Sequence, residues 1–242
     1  MSKPDLKFHG FNAGIFKFFN DLSKNNSLEW FSKNRERYQE VLVSPAKEFV
    51  ESIGEFFNHL NPAIRNEPKF NKTLMRINKD MRFAKGDPYR TYFLIHFGRF
   101  KMDSEFYVYF DKNGLVYGMF LNNSKGDDLY FKENLPKFRK EISNIFKKNK
   151  LNNKFSLYTY EKDTSLIQKK FNIDKHFDDF ISTKYILLEN PVPKTNKLAT
   201  SPTFLNTAIK TFSKLYPLYC FAISPDPLKL LQDFEEKLGI AH

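Results

Sequence analysis

Apolar residues recur at helical spacing through the first sixty positions. Ile15, Phe18, Phe19 and Leu22 share one face of a helix over residues 13–24, which Asn25-Asn26 bring to an end. A second helix is predicted to start with Asn26 as N-cap and Glu29 three residues on in capping-box spacing. Leu28, Phe31, Arg35, Tyr38 and Leu42 fall on one face of it. Pro45 suits the first turn of a third helix, lined by Phe49, Ile53, Phe56, Phe57 and Leu60 and ended by Asn61-Pro62.

From residue 74 the period changes to two. In LMRINKDMRF, Met75, Ile77, Met81 and Phe83 fall on one side, with Lys79 the exception, and Leu74, Arg76, Asn78, Asp80 and Arg82 on the other. A strand here sets Arg76, Asn78, Asp80 and Arg82 in one polar row, and Gly86-Asp87-Pro88 then turns the chain. Further strands are expected over residues 92–100, 105–111 and 115–121, the last two a hairpin about Asn113-Gly114. Gly118 inside a strand points to a bulge or a close backbone approach. These segments predict an antiparallel meander of about four strands over residues 72–121.

Residues 127–150 read as helix, with Phe138, Ile142, Ile145 and Phe146 as an apolar stripe and Lys137, Lys140, Lys147 and Lys148 off it. Packing on the sheet is favoured over lying on a membrane or nucleic-acid surface. Short strands follow at 155–160 and 185–188, a helix at 173–181, and an extended Asn190-Pro-Val-Pro connection. Ser201 caps a helix over 202–215, and Ser224 precedes another over 225–238 that ends at Gly239. The expected fold class is α+β, in a single domain over 1–242. It comprises N-terminal helices (13–60), the sheet (72–121) and a helical and mixed C-terminal part (127–239), with helices from both ends packing on the strands.

Composition narrows this. The 242 residues are 41% hydrophobic, enough for a large core, and 28 Phe and 12 Tyr make that core aromatic. The lone Cys220 excludes an intramolecular disulfide framework and a cysteine zinc cluster, and it suits a reducing compartment. Set in an apolar run, it is expected to be buried and inert. The opening MSKPDLKFHGF lacks the apolar run of a signal peptide, and no segment approaches a membrane span, so a soluble cytoplasmic protein is expected. The net charge of +11 is concentrated in residues 69–92 (seven Lys/Arg, two acids) and 132–154 (eight Lys/Arg, two acids). Such clusters suit an anionic partner; for 132–154 a solvated lysine surface is the favoured reading.

Common site signatures are missing: no GxGxxG, no P-loop, no GxSxG. The five histidines have no metal-ligand spacing, and no metal site is expected. Asp178-Asp179 and Glu235-Glu236 are adjacent, so their side chains diverge. What chemistry remains lies in residues 69–92. Arg76 and Arg82 on one strand face, with Lys85, Tyr89 and Arg90 across the turn, suit a clamp for carboxylate or phosphate, since guanidinium groups bond such anions bidentately. Asp80 lies between the two arginines and orients one or both. The competing reading is a polar network in which Asp80 and the arginines only fix the turn.

The succession NN, WF and NRxxY, then RIxKDxRFxKxxPYxT, then FY and a strand glycine resembles the domain-of-unknown-function 2461 family. The matching positions are Asn25, Asn26, Trp30, Phe31, Arg35 and Tyr38; then Arg76, Asp80, Arg82, Phe83, Lys85, Pro88, Tyr89 and Thr91; then Phe106, Tyr107 and Gly118. The likeness is specific over residues 11–121 and looser beyond. Lys79 stands where the family has an arginine, and Ala84-Lys85-Gly86-Asp87 where it often has Ser-Lys-Asp-Lys. The resemblance implies an α+β fold and an intracellular location and brings no activity, substrate or cofactor. It also suggests that Trp30 and Arg35 lie over the arginine row and close one side of a pocket.

The favoured function is therefore a pocket for a small phosphate- or carboxylate-bearing ligand. Arg76, Arg82, Lys85 and Arg90 are its anion contacts, Asp80 its orienter or base, Tyr89 a hydrogen-bonding partner and Trp30 a stacking wall, with Arg35, about one helical turn from Trp30, also counted among the ligand-binding residues. The alternatives are a structural or interaction domain whose motif only holds the fold, and a nucleic-acid-binding protein using the basic segments with aromatic platforms. Cofactor, catalytic residues and oligomeric state are left open, as is the choice between enzyme and binding module.

Overall fold

Residues 8–161 and 163–237 are described in a computed structural model of the chain. Helix α1 (Gly14–Leu22) buries Ile15, Phe18, Phe19 and Leu22, the face read from the sequence. The next helix, α2 (Leu28–Lys33), is capped one residue later than expected. Ser27, in an extended conformation, accepts the Trp30 backbone N–H at 3.2 Å. Asn26 is thereby released from capping. After α3 (Arg35–Tyr38), a π-helical turn (Gln39–Val43) leads directly into α4 (Ser44–Leu60). Pro45 has no N–H to return to the preceding turn, and the chain widens its pitch there instead of stopping. Leu28, expected on a buried stripe, is 70% exposed. The stripe is broken at Asn34 (φ −110°, ψ 13°), which separates α2 from α3.

The strands are β1 (Phe93–Phe97), β2 (Glu105–Phe110), β3 (Gly114–Asn122), β4 (Ser156–Tyr160), β5 (Thr164–Gln168) and β6 (Tyr185–Pro193). They make one antiparallel sheet in the order β1-β2-β3-β6-β4-β5, six strands where about four were expected. β4 lies between β6 and β5, with Ser156 opposite Glu189 and Tyr160 opposite Thr164. β5 escaped the sequence reading because it is short and largely exposed. β6 was read short because Asn190-Pro-Val-Pro looked like a connection; the strand runs through it to Pro193.

The β2–β3 hairpin is closed by Asp111. Its backbone N–H donates to the Gly114 carbonyl (3.1 Å), and its carboxylate accepts the N–H groups of Asn113 (2.7 Å) and Gly114 (3.2 Å). At Gly118 a Cβ would meet the Leu188 carbonyl oxygen at 1.9 Å, so the glycine marks a close approach of backbones.

The helix expected over 127–150 is two, α5 (Phe131–Lys137) and α6 (Arg139–Lys148), broken at Phe138 soon after Pro136. α7 spans Phe177–Ser182. α8 (Thr203–Ile223) does not stop at 215 but passes through Pro217, because Leu215, Tyr216, Leu218, Tyr219, Cys220 and Phe221 are all fully buried. That burial outweighs one missing helical hydrogen bond. α9 (Pro227–Lys237) follows Asp226, whose carboxylate accepts the Lys229 N–H at 3.4 Å; the expected end at Gly239 lies outside the described residues.

The described residues fall into two compact units. The first holds residues 8–97, Tyr107–Tyr117 and Pro191–Ile209, and its core is aromatic. Phe11 meets Phe8 at 4.9 Å and Phe110 at 4.6 Å, and Phe57 stacks on Phe97 at 4.4 Å. The second holds Gly98–Phe106, residues 118–161 and 163–190, and residues 210–237. Phe146, Phe171 and Phe180 pack together there, with Phe171 stacked on Phe180 at 5.1 Å. Among the described residues no helix is long and apolar enough to cross a membrane.

Candidate functional site

The arginine-rich stretch is an arm rather than a sheet strand, and it lies wholly in the first unit. It runs antiparallel to the chain that returns as β1. The His96 N–H donates to Thr73 O (2.9 Å) and the Met75 N–H to Leu94 O (3.0 Å). Beyond them the Arg90 N–H donates to Ile77 O (2.7 Å) and the Lys79 N–H to Pro88 O (2.8 Å). Between Met75/Leu94 and Ile77/Arg90 one arm advances two residues and the other four, so a bulge interrupts the ladder at Thr91–Tyr92. Carbonyls left beside the bulge need donors. The Arg90 guanidinium supplies them, donating through Nη1 to Arg76 O (3.1 Å) and Asn78 O (2.8 Å).

The period-2 reading survives only as far as Asp80. Arg76, Asn78 and Asp80 are exposed and Ile77 buried, but the chain turns at residues 80–84, with the Phe83 and Ala84 N–H groups both donating to Asp80 O at 3.0 Å. Arg82 therefore sits in a turn, not on a strand. Its side chain forms a two-pronged bond to Asp80, Nε to Oδ1 at 3.0 Å and Nη2 to Oδ2 at 2.7 Å, and its backbone N–H adds a third to Oδ1 at 3.1 Å. This fork holds the Asp80 carboxyl below its ordinary range. Met81 and Phe83, expected on a covered side, are 46% and 87% exposed because the turn swings them outward. Gly86 follows at φ +82°, a left-handed conformation that glycine adopts without strain.

Tyr89 anchors the far side. Its ring is buried and stacks on Phe31 at 4.2 Å and 23°; Phe31 in turn meets Tyr38 at 5.3 Å. Burial pushes the Tyr89 and Tyr38 hydroxyls up in pKa, and the Arg76 guanidinium works against this at Tyr38. The Asn26 carboxamide fixes the Tyr89 backbone: Asn26 Nδ2 donates to Tyr89 O (2.8 Å), and the Tyr89 N–H donates to Asn26 Oδ1 (3.1 Å).

Between turn and bulge lies an open groove of about 410 Å³, lined by Lys79, Asp80, Phe83, Ala84, Asp87, Tyr89, Arg90, Thr91 and Tyr92. Three of the sequence candidates, Asp80, Tyr89 and Arg90, line it. Arg82 is not a lining residue but contacts two that are, Asp80 and Phe83, and Lys85 is exposed on the turn. Arg76 is exposed beside Tyr38, with its guanidinium 5.8 Å from the Phe70 ring. Trp30 meets Phe18 at 5.8 Å, and Arg35, exposed on α3, is one turn before Tyr38. The residue of α2 that reaches the site is Phe31 rather than Trp30.

The sequence reading missed Lys79, Phe83, Ala84, Asp87, Thr91 and Tyr92 as lining residues. Lys79 did carry a signal, as the one charge on the apolar side of the alternation. It is half-buried, and among the described residues its ammonium makes no hydrogen bond or ion pair. No described cluster of His, Cys, Asp or Glu could hold a metal ion.

An α+β fold with a forked strand-turn motif against an Asn-and-aromatic helical segment thus defines the class of protein. The family model of a conserved hypothetical protein, DUF2461, matches residues 14–221, and the chain belongs to that family. A comparison with curated proteins found no match.

Proposed function

We propose that the groove binds a small phosphate- or carboxylate-bearing ligand. One observation carries the reading. Lys79 is a half-buried cation whose ammonium makes no hydrogen bond or ion pair among the described residues, and it lines, with buried and exposed rings, a groove whose size falls within the roughly 300–1,000 Å³ of small-ligand sites. Its neighbours are already committed. Arg82 is held by Asp80 and Arg90 by two carbonyls, so these groups build and charge the site, while Lys79 is the contact that an anion meets. Arg76 and Lys85 add positive potential nearby.

Thermal unfolding at low salt with a panel of small phosphates and carboxylates tests this, because a ligand that binds the native state raises the midpoint. A rise that Lys79→Gln abolishes supports the proposal. No rise with any anion, or one unchanged in Lys79→Gln, refutes it.

A second reading has its own support. Asp80–Arg82, Arg90 with its two carbonyls and Asn26 with Tyr89 satisfy one another, as a motif that only holds the fold requires. It predicts that Arg82→Gln and Arg90→Gln lower stability and that Lys79→Gln changes nothing measurable.

A further inference from the structure

Three rings line the groove, and they differ in what covers them. Tyr89 lies against Phe31, and Tyr92 stacks on Tyr109 at 5.3 Å and 27°. Phe83 is 87% exposed although it forms part of the wall. A phenyl ring left in water is unfavourable, and this one is held in place. The turn carrying it is pinned by the Asp80–Arg82 fork and by the two N–H bonds to Asp80 O, and the Arg82 guanidinium stands 5.6 Å from its centroid. An exposed ring on a pinned turn, in the same groove as an ammonium that makes no bond among the described residues, suits a flat aromatic group carrying an anion. Asp80 and Asp87 supply acceptors in the same groove, which disfavour a bare polyanion and suit a ligand with hydroxyl or amino donors.

Resting on the anion-binding reading of this groove, we infer that its ligand is a free nucleotide. The base stacks on Phe83, the phosphate meets Lys79, and sugar or base donors meet Asp80 and Asp87. A sugar phosphate has the anion and the donors but nothing for Phe83 to cover.

Calorimetric titration of the full chain at low salt, with adenosine and uridine monophosphates, ribose 5-phosphate and a short single-stranded oligonucleotide, tests the inference. A monophosphate should bind, and Phe83→Ala should weaken it by about tenfold, in line with the measured worth of base stacking. Phe83→Trp should restore it. Because Phe83 is exposed, neither change should shift the melting temperature of the free protein. Ribose 5-phosphate binding as tightly as the nucleotides, nucleotide affinity unaltered in Phe83→Ala, or an oligonucleotide binding where mononucleotides do not, each overturns it. Ribose 5-phosphate bound through Lys79 and indifferent to Phe83 would leave the anion groove standing and remove only the nucleotide. Absence of binding by every small anion would remove both.

Discussion

The carboxamide of Asn26 pairs with both backbone groups of Tyr89, sixty-three positions away, as a neighbouring strand would. The bond joins the link between α1 and α2 to the return arm of the basic segment, just where Tyr89 stacks on Phe31. It leaves capping of α2 to Ser27. With one side chain the asparagine therefore ties the α1–α2 link to Tyr89, a residue of the groove wall.

Asn26→Ala removes an acceptor and a donor from a part-buried backbone. Leaving such groups unpaired costs about 1–3 kcal/mol, and the loss should appear in urea denaturation as a lower midpoint with an unchanged slope. Asn26→Asp keeps the acceptor for the Tyr89 N–H but presents a carboxylate to the Tyr89 carbonyl, so it should rescue only part of the loss. Full stability in Asn26→Ala would show that water replaces the carboxamide.

The Asp80–Arg82 fork makes a pH prediction. The folded pKa of Asp80 lies below its ordinary value of 3.8, chiefly through the Arg82 side-chain bonds. A depressed carboxyl pKa stabilises the folded turn above the unfolded pKa, and that contribution disappears as pH falls through the folded pKa. Carbon-detected titration of the Asp80 carboxyl should therefore give a midpoint below 3.8 in the wild type and one closer to 3.8 in Arg82→Gln. The change in global stability between pH 7 and 5 should be unaffected, since the window lies lower.

Local chemistry is what the sequence made readable. The α1 face and the β2–β3 hairpin about Asn113-Gly114 follow from period and turn residues within a dozen positions, while at Gly118 the sequence left a bulge or a close approach open and the partner, Leu188, lies seventy positions away. The α+β class followed from them. The misreadings have non-local causes. The bulge opposite Arg76 comes from a mismatch between two arms, and nothing within either arm encodes it. The choice of Ser27 over Asn26 as cap turns on Tyr89, far along the chain. β5 has few buried residues to pattern, and the prolines of β6 argued against a strand that in fact tolerates them. In the candidate site, Arg and Asp were legible by type, but which of the cations lining the groove makes no bond among the described residues was not. Arg82 and Lys79 differ in partner, and partners are set by the turn.

Gly118→Ala should be among the most damaging single substitutions in the chain. The added methyl would overlap the Leu188 carbonyl oxygen of β6 at 1.9 Å, and backbone, unlike a side chain, cannot swing aside. Overpacking of this kind costs about 1–3 kcal/mol or more, so the variant should melt several degrees lower or fail to accumulate folded. An unchanged melting curve would mean that β3 and β6 separate at little cost.

The second unit holds a buried ion pair that should respond differently to two substitutions. Asp103 is fully buried and accepts from Arg99 Nε (2.9 Å), Arg99 Nη2 (3.0 Å), the Arg99 backbone N–H (2.9 Å) and the Tyr219 hydroxyl (3.3 Å). The Arg99 side chain, 17% exposed, also donates to the carbonyls of Ile223 (3.2 Å) and Asp128 (2.8 Å). Asp103→Ala strands a largely buried guanidinium and should cost about 3–5 kcal/mol in chemical denaturation. Tyr219→Phe removes one long hydrogen bond and should cost about 0.5–1.5 kcal/mol. The two should also part in pH dependence. Burial, reinforced by Asp103, holds the Tyr219 phenol well above its ordinary 10.0. A raised pKa contributes its full stability below the unfolded value and loses it as pH climbs beyond about 10. Tyr38, Tyr89 and Cys220 are shifted in the same direction and will keep some alkaline slope in every variant. Tyr219→Phe should therefore flatten the fall in stability above pH 10 without abolishing it. A slope identical to the wild type would show that the phenol titrates alike in the folded and unfolded protein, against the upward shift.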